Sequence, residues 1–166
     1  MRKTKYKLGD IFEVKINDNS KKYFQLIAVD LLQLNSEVIR AFKKEYPISY
    51  NYDFSEIING KIEFYAHCIT KLGVKLGYWE KVGNIDDVGD ATNIVFRDTN
   101  DYGSSPGKQV KVSHNWYVWK INDIGFTRVG KLIGENQSAE IGIVISPDSI
   151  VYRMQYGEYD FVYPGY

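Results

Sequence analysis

The sequence predicts an α+β fold, a mainly antiparallel β-sheet with one helix at the C-terminal end, in a single domain spanning 1–166. Three observations carry this. Alternation of apolar and polar residues at the strand period recurs along the chain. Clusters of Gly, Asn, Asp and Pro interrupt it at short intervals, as turns between strands do. One stretch near the C-terminus carries helix signals at both of its ends.

The first strand lies in 7–16, where Phe12, Val14 and Ile16 alternate with Glu13 and Lys15. The tetrad 17–20, Asn-Asp-Asn-Ser, supplies a turn, and 23–29 returns as a run apolar on both faces, which suits a strand near a sheet centre. Residues 37–42 form a third strand or a helical turn, stopped before Pro47. Residues 53–58, with Asp53 as a cap candidate and Asn59-Gly60 as a stop, give one helical turn or a loop. In 61–70 the residues Ile62, Phe64, Ala66 and Cys68 share one strand face, with Glu63, Tyr65, His67 and Ile69 on the other. Lys71-Leu72-Gly73 turns the chain and 75–82 reads as the returning strand. A polar loop with Asp86, Asp87 and Asp90 precedes a short strand over 93–97, and 98–107 is the longest breaker-rich loop. A long strand over 110–121 carries Trp116 and Trp119, three positions apart and so on opposite faces; 126–129 follows a tight turn. The helix begins after Ser146, with Pro147 in its first position, Ile150, Val151 and Met154 as its apolar stripe, and Gly157 as the residue that ends it. Phe12, Val14, Ile16, Leu26, Ile62, Phe64 and Cys68 are the expected members of one core.

The chemistry is restricted. Basic and acidic residues balance at 21 each, so no general attraction to nucleic acid or membrane follows. The balance is uneven along the chain: 1–50 hold 10 basic and 6 acidic residues, whereas 51–107 hold 5 and 9, which makes the middle third the place for an acidic surface. The single Cys68 forms no internal disulfide, which fits a reducing cytoplasm, and the basic start lacks the apolar segment of a secretory signal. His67 and His114 are far apart and no Cys-x-x-Cys or His-x-x-x-His occurs, so neither a metal nor another cofactor is expected. Cys68 reads as a small buried hydrophobe, and His67 as a partly exposed structural or interface residue. Asp86, Asp87 and Asp90 lack the regular spacing and closing Glu of a calcium loop. No phosphate cradle or nucleophile elbow is present, and no catalytic residue is assigned.

The segment Lys-Tyr-Lys-Leu-Gly-Asp-Ile-Phe-Glu-Val at 5–14 resembles the opening strand of the immunity protein 26 family of bacterial polymorphic toxin systems. Trp79 followed by Gly83, and a late apolar strand leading into the helix that ends at Gly157, are similar to that family as well. Where the family has a Tyr-x-x-Gly-Gln type segment on its second strand, this chain has Tyr23-Phe24-Gln25-Leu26. The resemblance implies a non-enzymatic protein that binds and blocks a cognate toxin domain in the producing cell; it carries over no residue roles. A nuclease toxin would present a basic groove, to which an acidic surface is complementary. The candidate partner-binding residues are therefore Asp86, Asp87, Asp90, Asp98, Asp101, Tyr102, Tyr78 and Trp79. The alternative is a β-rich domain that binds a small ligand or carbohydrate on aromatic rings.

Overall fold

The computed structural model describes residues 6–101 and 110–166. In chain order the elements are β1 (Asp10–Lys15), β2 (Ser20–Asp30), β3 (Ser36–Phe42), β4 (Tyr46–Pro47), α1 (Phe54–Ile58), β5 (Ile62–Cys68), α2 (Thr70–Leu76), β6 (Glu80–Asn84), β7 (Val95–Thr99), β8 (Trp116–Lys120), β9 (Thr127–Gly130), a 3-10 turn (Gly134–Ser138), β10 (Glu140–Ile141) and α3 (Pro147–Tyr156). The larger sheet runs β5-β3-β2-β1-β6, all neighbours antiparallel, with β4 added on β2; the smaller runs β10-β7-β8-β9, where only the β10–β7 pair is parallel. This is the expected α+β class, with the β-structure divided between two sheets.

The larger sheet is buried on both faces, which explains why 23–29 is apolar throughout. On one face Phe12, Phe24, Leu26, Ile39, Phe64 and Cys68 pack beneath Ile150 and Met154 of α3 and beneath Trp79. Phe12 and Phe24 are register partners and stack at 4.9 Å, and the indole of Trp79 meets Phe24 edge-on at the same distance. The opposite face is divided. Ile11, Tyr23, Phe42 and Tyr46 pack against Ile57 of α1 at one end, while Ile27 and Val38 pack against Ile94, Phe96 and Trp119, from the smaller sheet and its approach, at the other.

Three expectations are corrected here. The segment 75–82 is not a strand: α2 occupies Thr70–Leu76, Gly77 ends it in the left-handed region at φ 80°, and β6 starts only at Glu80. Residues 110–121 are a strand only over Trp116–Lys120. Ile62 does not join Phe64, because the β3–β5 register shifts between Ala41 and Phe42 and turns Ile62 to the α1 side. Ile16 is only partly buried, against the α3-side cluster. The helix α3 follows its signals: Pro147 opens it, Ile150 and Met154 are buried, and Gly157 closes it at φ 82°. Ser146 caps it with backbone alone, its hydroxyl bonding to Ser149 instead.

Candidate functional site

Between the two clusters on the back of the larger sheet lie polar side chains in central strands, Gln25 of β2 and Arg40 of β3, which are register partners. Buried polar groups in such a position must find partners. They find them in the polar loop that follows β6. Gln25 Nε2 donates to the carbonyls of Ile85 (2.9 Å), Asp87 (3.2 Å) and Gly9 (3.3 Å). Arg40 Nε donates to Gln25 Oε1 at 2.9 Å and its Nη2 to the Asp87 carbonyl at 3.0 Å. Burial lowers the pKa of the Arg40 guanidinium and the Asp87 charge partly offsets this. The loop thus crosses the sheet with Ile85 packed on the α1-side cluster, Val88 and Ala91 on the cluster beneath the smaller sheet, and a hydrogen-bonded clamp between them. Gly89 passes so close to Arg40, at φ 72°, that a Cβ there would lie 2.4 Å from Nη1.

This clamp leaves Asp86, Asp87 and Asp90 exposed on a fixed backbone, and none of the three is in a salt bridge with a described residue. Asp87 Oδ1 accepts from the Gly89 N–H at 3.0 Å. Asp90 accepts from the N–H and hydroxyl of Thr92, which holds its carboxyl below the ordinary range. Local hydrogen bonds therefore fix the carboxylates of Asp87 and Asp90, and Asp86 stands exposed beside them in the chain.

The remaining candidates fall elsewhere. Asp98 accepts from the hydroxyls of Tyr117 and Tyr163 and so ties β7 to β8 and the C-terminal segment, while Asp101, just after β7, accepts from Ser113 and Asn115 in the approach to β8. Tyr78 is exposed, but Trp79 is buried in the core, with Nε1 donating to the Thr70 carbonyl at 2.9 Å. Tyr102 lies outside the described residues.

No match to this chain is found among known protein families, curated proteins or solved structures.

His67 differs from its expected place: it is fully buried. Its Nδ1 lies 2.9 Å from Ser36 Oγ, and its Nε2 lies 3.8 Å from Asp30 Oδ2. Ser, His and Asp thus meet without any spacing signal in the sequence. All three are buried, so the group serves as an internal strut. Asp30 Oδ1 also accepts from the backbone N–H groups of Gln33 and Asn122, which ties the β2–β3 turn to the β8–β9 turn. Cys68 is buried as expected, and burial pushes its thiol far above the ordinary range. Among the described residues no group of three or more His, Cys, Asp or Glu could hold a metal ion, and no helix is long and apolar enough to cross a membrane.

Proposed function

We propose that this chain is a toxin-neutralising immunity protein that binds a cognate polymorphic toxin domain in the cytoplasm of the producing bacterium and inhibits it by occupying its surface. The observation that carries the reading is the clamped acidic loop. Gln25 and Arg40 hold its carbonyls from below, so Asp86, Asp87 and Asp90 meet a partner with little ordering left to do. Exposed carboxylates on a loop clamped to a rigid sheet attract a basic protein groove, raise its association rate and compete there with substrate phosphates. The opening segment at 5–14, which resembles the immunity protein 26 family, agrees with this role, and inhibition by binding alone requires no catalytic group. The alternative, an aromatic platform for carbohydrate, has no exposed indole to use: Trp79, Trp116 and Trp119 are all buried.

The test is co-expression with the toxin domain encoded beside this chain. Restored growth, together with a stoichiometric complex of the purified proteins, is the expected result. Continued killing with no complex formed would refute the proposal.

A further inference from the structure

The β2–β3 and β8–β9 turns are locked side by side. Leu31 N–H donates to Asn122 Oδ1 at 2.9 Å, Asn122 Nδ2 to the Val29 carbonyl at 3.1 Å, and Gln33 Nε2 to the Asp123 carbonyl at 2.5 Å. Asn122 takes φ 62° to make these bonds, a conformation that Asn tolerates better than most residues. Large apolar side chains stand on this doubled tip in the open: Ile124 is 98% exposed, Leu31 66%, Leu32 59% and Phe126 58%. Phe126 rests on Tyr117 at 4.7 Å and on Trp119 at 5.7 Å, so its ring is held in place while more than half of it faces solvent. Single exposed apolar residues need no explanation, but four large ones carried by two turns that are hydrogen-bonded to each other point to a contact surface.

The tip belongs to the same region of the molecule as the acidic loop. Leu34 of the first turn, Ile121 at the start of the second, and Val88 and Ala91 of the loop all pack on the cluster formed by Ile27, Val38, Ile94, Phe96 and Trp119. One buried cluster therefore supports both an apolar knob and the stretch 88–91 of the loop that carries the carboxylates, none of which is in a salt bridge with a described residue. Protein interfaces are built in this way, with an apolar centre that supplies affinity and a charged rim that supplies steering.

We infer that Leu31, Leu32, Ile124 and Phe126 form the apolar centre of the partner interface, with Asp86, Asp87 and Asp90 as its rim. The occupant is a basic protein surface that carries an apolar socket beside its cationic groove. Charge complementarity selects this occupant: the carboxylates of the loop packed on the same cluster favour a cationic protein and disfavour an anionic lipid surface. The inference rests on the immunity reading and assigns its contact residues.

The experiment measures binding of the toxin domain encoded beside this chain to the intact protein and to two variants. One combines Leu31→Ser, Leu32→Ser and Ile124→Ser; the other combines Asp86→Asn, Asp87→Asn and Asp90→Asn. All six positions are exposed, and an unchanged melting temperature verifies the fold of each variant. The apolar variant should bind at least about 30-fold more weakly, chiefly through faster dissociation. The carboxamide variant should associate about 10-fold more slowly at low salt, with a flatter salt dependence. Failure of the intact protein to bind refutes the immunity reading and this inference with it. Binding by the intact protein that the Ser variant retains in full overturns this inference alone. Association with neutral or anionic vesicles, or a concentration-dependent dimer, that the Ser variant abolishes would assign the tip to membrane or self-association and would also overturn it.

Discussion

The buried His67 makes the stability of this fold depend on pH with a calculable sign and size. Its side chain is wholly inside, and the 3.8 Å separation from Asp30 Oδ2 is too long for a hydrogen bond, so that carboxylate offsets only part of the desolvation of an imidazolium. The pKa is accordingly pushed down from 6.5 to about 4. In the unfolded chain His67 takes a proton near its ordinary pKa of 6.5, whereas in the folded state it resists until about 4. Below pH 6.5 the unfolded state therefore binds the extra proton. The stabilisation is fully present above that value and is lost as pH falls through this window. Linkage gives a loss of about 2 kcal/mol between pH 7 and 5, and about 3 kcal/mol over the whole interval. The assay is urea unfolding at a series of pH values for the natural chain and for His67→Leu. The variant is less stable at neutral pH, because Ser36 Oγ and the Asp30 carboxylate lose their neighbour, but its stability should fall less steeply between pH 7 and 5 by that same 2 kcal/mol. Parallel curves for the two proteins, or an imidazole resonance of His67 that titrates at or above pH 6.5, would refute the reasoning.

Other expectations follow from single contacts. Gly73→Ala places a Cβ 2.0 Å from the indole of Trp79, which is confined by the core, and should cost about 2–3 kcal/mol by thermal or urea unfolding. Trp79→Ala should cost about 3–5 kcal/mol, measured in the same way, since the ring fills the α3-side core and its N–H is spent on Thr70. Arg40→Met leaves the Asp87 carbonyl and Gln25 Oε1 short of a donor and should cost about 1–3 kcal/mol, with faster amide exchange across 85–90 as the specific sign of a released loop.

Features that depend on neighbouring residues were legible in the sequence, and those that depend on distant ones were not. Pro147 and Gly157 mark the ends of α3 because both signals act within a turn of the helix. The first hairpin was legible because Phe12 and Val14 alternate with Glu13 and Lys15, 17–20 is a run of turn residues, and 23–29 is apolar on both faces. The region 70–84 misled because its determinants are remote: the Thr70 N–H and hydroxyl are bonded, at 2.6 Å each, by Glu37 from 33 positions away, and Gly73 is needed for the indole of Trp79. Ile62 was misplaced because a register shift leaves no mark in an alternating sequence. At the candidate site the acidic character of the loop was visible in composition, and Asp86, Asp87 and Asp90 were named from it. The clamp was not: Gln25 reaches Ile85 and Asp87 across 60 and 62 positions. The one local hint was a polar residue between Phe24 and Leu26 in a strand with two buried faces.

Hydrogen–deuterium exchange on the proposed complex with a cognate toxin domain tests the central claim most directly. Amides at 86–92 and at the paired turns 31–35 and 121–126 should gain protection on binding, while α3 and β6 stay as they are in the free protein. Protection confined to α3 or β6, with the acidic loop unchanged, would contradict the account.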